Sequence, residues 1–131
     1  MVDLIEKINQ QMAKDFGLDT YQDNAIEYAF YEGTTYPVLG LVGEAGEIAE
    51  KWKKLIRDQD MPAGHEVRPD DPYMDDELRE DIILELGDLL FYIANLADDL
   101  DYSLAEVAEM NLKKLEGRLN RGTLQGSGDH R

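Results

Sequence analysis

The chain has 131 residues, with 29 Asp and Glu against 13 Lys and Arg, for a formal charge of −16. That length suits one domain. So acidic a balance argues against binding a nucleic-acid polymer or an anionic membrane, both of which need a basic footprint. Apolar residues make up 43% of the chain, enough for a packed core, and the absence of cysteine excludes disulfides, a thiolate nucleophile and cysteine-bound zinc.

Taken in chain order, the apolar residues recur with helical period almost throughout. Leu4, Ile5, Ile8 and Met12 form a first stripe, with Gly17 as a stop. A short second helix runs from about Thr20 through Ala25, Tyr28 and Ala29 to Gly33. The third opens with Pro37, suited to a first helical turn, and extends to about Arg57 along Val38, Leu41, Val42, Ala45, Ile48, Ala49, Trp52, Leu55 and Ile56. Pro62, Gly64, Pro69 and Pro72 then break the pattern, so 59–74 reads as an exposed loop. A fourth helix begins at Asp75 or Asp76, where acids suit the helix dipole, and ends near Asp98 or Leu100. Ser103 followed by Glu106 is the capping-box spacing, and opens a fifth helix with Leu104, Val107, Ala108, Leu112, Leu115 and Leu119 on its stripe. Residues 122–131 carry three glycines and no stripe, and read as a tail.

The expected fold is therefore all-α: an antiparallel bundle of four to five helices in one domain over 1–121, with the tail beyond it. Several stripes are wide for so short a chain, so oligomerisation should complete the fold. No apolar run approaches the roughly 18 residues of a membrane span. The first sixteen residues lack the apolar core of a signal peptide. A cytoplasmic protein with no membrane partner is expected.

The chemistry lies in the acids. Segment 82–97 is apolar nearly all round, the pattern of a buried helix, yet Glu85 and Asp88 sit in its middle three residues apart. Buried, unpaired carboxylates cost several kcal/mol each, so something should compensate them. The third helix carries a matching pair, Glu44 and Glu47, among Gly43 and Gly46, where the glycines suggest a close approach by a backbone or a ligand. If the two helices run antiparallel, the four carboxylates converge. Oxygen donors without His or Cys favour a hard cation, Mg²⁺ or Mn²⁺. A ferritin-like di-iron site would want Glu-x-x-His, which neither pair has. Lys51 and Lys54 share roughly the face of Glu44 and Glu47, and Asn111, Lys114 and Arg118 share a face of the fifth helix. Bases beside an acidic metal site point to an anionic ligand such as a polyphosphate, with ordinary surface ion pairing as the alternative for any one of them. Tyr92 and Asn95 continue the acidic face and Asp81 precedes it; Tyr92 is a candidate for a base or sugar contact or a core tyrosine. Tyr28, Tyr31 and Trp52 are weaker stacking candidates.

Gly43-Glu44-Ala45-Gly46-Glu47-Ile48-Ala49-Glu50, then a Lys-rich helix, then Glu85-Leu86-Gly87-Asp88, resembles the MazG-like all-α nucleoside triphosphate pyrophosphohydrolases, over roughly residues 20–120. The Asn111, Lys114 and Arg118 face and the tail look like the short single-domain members, including those carried by phages. The resemblance implies Mg²⁺ (or Mn²⁺) held by Glu44, Glu47, Glu85 and Asp88 as metal-binding and catalytic acids. It implies a nucleoside triphosphate cleaved to monophosphate and pyrophosphate. Lys51, Lys54, Tyr92, Asn111, Lys114 and Arg118 would be the substrate-binding residues, in a self-associating protein, tetramer favoured over dimer. Gly43 stands where the signature has its first Glu, and 37 residues separate Glu47 from Glu85, more than is usual, the excess falling in the 59–74 loop. Two other readings remain: the same fold acting on dUTP or a guanosine tetraphosphate-type alarmone, and a non-catalytic acidic helical module that binds a partner protein.

Overall fold

The structure, a computed structural model, describes residues 2–12 and 16–128. Its elements are α1 (Val2–Met12), α2 (Leu18–Ala25), a 3-10 turn (Ile26–Tyr28), α3 (Thr35–Asp58), α4 (Asp76–Asp99) and α5 (Leu104–Asn120), with no strand among the described residues. The second helix stops short of Gly33: it tightens into the 3-10 turn after Ala25, and Ala29 is already extended. The chain divides into two compact units, one from the stretches Met1–Ala29 and Ala97–Arg131, the other from Phe30–Leu96.

In the first unit, the start of α5 is capped from two sides. Ser103 Oγ accepts from the Glu106 amide at 3.1 Å while Glu106 returns a bond to the Ser103 amide, closing the capping box. The two amides between them turn to α2: Leu104 N–H donates to Gln22 Oε1 at 2.8 Å, and Ala105 N–H to Asp19 Oδ1 at 2.9 Å. Three N–H groups that a helix leaves unpaired are thus all met by side chains. Gln22 also donates from Nε2 to the Tyr102 carbonyl at 3.0 Å, so its buried amide is used at both ends.

Helices α4 and α5 end in the same way. Asp101 (φ 61°) and Gly122 (φ 67°) take the left-handed conformation, and the next amides, Tyr102 and Thr123, reach back to the Ala97 and Arg118 carbonyls at 2.9 and 2.8 Å. This is the Schellman ending, for which glycine is the usual residue and Asp a tolerated one. Residues 122–128, expected as a tail, turn back on α5: Arg118 Nη2 donates to the Gly128 carbonyl at 3.2 Å. The last three residues of the expected tail lie outside the described residues, as do the side chains of Ile8 and Met12 in the first stripe.

The second unit is an antiparallel helix pair joined by a long loop. Gly40 faces Tyr92, Glu44 faces Asp88, Lys51 faces Asp81 and Leu55 lies with Leu78, so α3 and α4 run in opposite directions. The loop between them is mostly exposed but anchored. Met61 is buried and its amide donates to the Leu55 carbonyl; Asp71 takes the Tyr73 amide and sits 2.6 Å from His65 Nε2; Arg79 donates to the Pro69 carbonyl.

Segment 82–97 is not the buried helix that its composition implied. Ala94 and Asn95 are buried, but Ile83, Leu84 and Leu86 are exposed, Leu84 by 67%, as are Leu39 and Val42 of α3. One partner helix cannot enclose a helix that is apolar on all sides.

Candidate active site

The second unit builds the site. Antiparallel pairing brings one carboxylate oxygen each from Glu44, Glu85 and Asp88 within 4.8 Å of one another. Glu85 and Asp88, three residues apart on α4, share a face, and Glu44 meets them from α3. Glu47 is not among these three: it is exposed, and close enough to Glu44 to act on it electrostatically. The group is also less buried than expected, with Glu44 and Glu85 half-buried and Asp88 exposed.

Partial burial, then the negative charges of Asp88 and Glu85, push the Glu44 carboxyl above its ordinary range. Carboxyls this crowded call for a positive charge. Three oxygen donors, with no nitrogen or sulfur, fit a hard divalent cation.

Aromatic rings flank the acids. Tyr92 lies over Gly40 so closely that a Cβ there would fall 2.5 Å from its ring carbons. Its ring centroid is 6.3 Å from that of Tyr36, which stacks on Tyr31 at 4.4 Å. Burial, the hydroxyl of Tyr36 and the charge of Glu44 raise the Tyr92 phenol above its ordinary pKa, keeping it a neutral donor beside the acids. Gly40 is thus the glycine of α3 that a close approach requires. Gly43 and Gly46 face open space within the chain, contrary to the close backbone approach expected there.

The expected substrate-binding bases divide between the units. Lys51 Nζ is 3.2 Å from Glu85 Oε1 and 3.7 Å from Asp81 Oδ2, an ion pair directed onto the acids themselves. Lys54 lines a cleft of about 170 Å³ with Lys51, Asp58 and Asp81. In the first unit, Asn111 and Lys114 line a separate cleft with Tyr102, Val107 and Met110, of about 530 Å³. Arg118 is buried, and its guanidinium holds the Gly128 carbonyl. The roles of Tyr36 and Gly40 escaped the sequence reading: both lie in an ordinary apolar stretch, and only the partner helix reveals what they touch.

No helix is long and apolar enough to cross a membrane, among the described residues. Residues 34–122 match the model of the MazG nucleotide pyrophosphohydrolase domain. The chain is 43% identical over 123 residues to the Gene 37 protein of Mycobacterium phage L5, a match covering 87% of this chain and 98% of that relative. No solved structure matches the chain. With an all-α fold, an acidic cluster drawn from both halves of the motif and a family match over most of its length, the chain belongs to the MazG family and is a nucleotide pyrophosphohydrolase, acting on a phosphoric anhydride.

Proposed function

We propose that the protein is an Mg²⁺-dependent nucleoside triphosphate pyrophosphohydrolase, releasing nucleoside monophosphate and pyrophosphate. The observation that carries this reading is the meeting of Glu44, Glu85 and Asp88 within 4.8 Å, on a chain of a pyrophosphohydrolase family. Glu44, Glu85 and Asp88 would hold the cation, Mg²⁺ or in its place Mn²⁺. A divalent ion there supplies charge neutralisation for the polyphosphate and acidity to water.

The chain's own residues do the rest. Lys54, in the cleft beside Lys51, meets the non-bridging oxygens of the β- and γ-phosphates. Tyr92, neutral and with Tyr36 beside it, offers a hydroxyl and a ring face to the sugar or base. Glu47 is exposed and one turn from Glu44, and its carboxylate takes the proton of the attacking water. Water oxygen then bonds to the α-phosphorus as the bond from that phosphorus to the α–β bridging oxygen breaks, and pyrophosphate leaves. On the first unit, considered by itself, Asn111, Lys114 and Arg118 are proposed as nucleotide donors, Arg118 after exchanging the Gly128 carbonyl for a phosphate oxygen.

We also infer self-association, a tetramer rather than a dimer, because apolar side chains on α3 and α4 stay exposed in a single chain. The cytoplasm, where nucleotides are made and used, is its proposed location. Family membership sets aside the non-catalytic module.

The test is phosphate release after added inorganic pyrophosphatase, across the four dNTPs, dUTP and a guanosine tetraphosphate, with and without Mg²⁺. Hydrolysis that needs Mg²⁺ and disappears in Asp88→Asn is expected. No release from any nucleotide by a folded sample would end this reading.

A further inference from the structure

Lys51 stands out among the bases because it is committed to the acids. Its side chain is 16% exposed and that of Glu85 is 20%, so the pair is largely shielded from water. From α3 the ammonium could meet Glu47, one turn earlier on the same helix, yet both of its ion pairs among the described residues cross to α4, at Glu85 and Asp81. Glu85 also belongs to the three-carboxylate cluster. One carboxylate therefore serves two masters, an ammonium at 3.2 Å and any cation that the cluster holds. Opposite charges this close and this shielded interact strongly, and like charges repel just as strongly. A divalent ion approaching Glu85 meets a resident positive charge within a few Å.

We propose that Lys51 is the built-in counter-ion of this cluster and competes with the divalent cation for Glu85. The free protein then binds the metal weakly, and the metal enters chiefly as the complex it forms with the substrate polyphosphate. Building on the metal reading above, this adds to it a residue and an order of assembly. With nucleotide present, the phosphates give the ammonium of Lys51 another anion, and Glu85 is released to the metal. Asp81, 53% exposed, holds the ammonium close at hand in the exchange. Lys51 is on this view a positioning residue whose charge sets when the cluster accepts metal.

The experiment is a Mn²⁺ titration of the full chain without nucleotide at pH 8, free Mn²⁺ being read by electron paramagnetic resonance. Wild type is compared with Lys51→Gln, Lys51→Met and Lys51→Arg, each checked for helicity by far-ultraviolet circular dichroism. Lys51→Gln and Lys51→Met should bind Mn²⁺ at least about tenfold more tightly, equivalent to about 1.4 kcal/mol, while Lys51→Arg, which keeps the charge, stays close to wild type. Using two neutral variants keeps the test open if one fails to fold. A lysine that merely braces Glu85 predicts the opposite, a loss of affinity on neutralisation. Equal or weaker binding by the neutral variants, or no binding by any variant, overturns the proposal. Because the titration contains no nucleotide, its outcome is separate from that of the hydrolysis assay: tighter Mn²⁺ binding with no hydrolysis would sink the enzymatic reading alone.

Discussion

Gly40→Ala adds a single methyl group to a helix, where alanine is ordinarily better than glycine by about 1 kcal/mol. Here the sign should reverse. The new Cβ would lie 2.5, 2.5 and 2.6 Å from three ring carbons of Tyr92, well inside van der Waals contact. Those atoms belong to the body of the ring and not to a flexible tip. The ring is held on its other sides by Tyr36 and by the edge of Phe91, at 6.3 and 5.3 Å between centroids. Overpacking of this kind costs about 1–3 kcal/mol. With an unfolding entropy of about 2.1 cal/mol/K per residue, each kcal/mol lowers the midpoint by about 3.6 °C for this length; three ring contacts this short put the cost at about 2–3 kcal/mol, and net of the helix gain of about 1 kcal/mol Gly40→Ala should lose about 4–7 °C. Thermal unfolding followed by circular dichroism reads it. The decisive comparison is a double-mutant cycle with Tyr92→Ala. Once the ring is gone, Gly40→Ala should become neutral or stabilising, and the difference between backgrounds isolates the contact. A Gly40→Ala chain that melts with wild type, or that loses the same amount in both backgrounds, would refute the account of how α3 and α4 meet. Displacement of Tyr92 would also alter the surroundings of Glu44, whose charge contributes to the raised Tyr92 pKa.

Mg²⁺ at ten times its dissociation constant should stabilise the folded chain by about 1.4 kcal/mol, a rise of about 5 °C in the midpoint, and Asp88→Asn should abolish the rise. Without metal, stability should fall as pH rises above 4.5. Glu44 holds its proton more tightly folded than unfolded, so the folded state loses its advantage as that proton leaves; denaturant midpoints between pH 4.5 and 8 read this, and Glu44→Gln should flatten the slope. Gln22→Ala should cost about 1–3 kcal/mol, because it removes the side-chain partners of the buried Leu104 amide and the Tyr102 carbonyl; a urea midpoint equal to wild type would contradict that role.

Much of this protein is legible in one dimension because the signals are local. Helical period, the Ser103–Glu106 cap and the acids opening α4 depend on residues within a turn or two of one another, and α3, α4 and α5 lie within about two residues of where the pattern places them. Asp101 was not legible as a turning point, since Asp adopts a left-handed backbone only where the surrounding structure demands it. Gln22 and Asp19 look like surface polars of a short helix until α5 is set against them, more than eighty positions away.

The acids show the same division. Their identities and i,i+3 spacing follow from the sequence alone, because a helix places residues three apart on one face whatever surrounds it. Which of them meet was decided by the register of α3 against α4, which sets Glu44 opposite Glu85 and Asp88, leaves Glu47 outside the group and turns Lys51 onto Glu85. Burial was decided there too: composition records how apolar a helix is, whereas exposure depends on what packs against it. Two antiparallel helices cover only part of each other, and the uncovered part carries Leu84 and Val42.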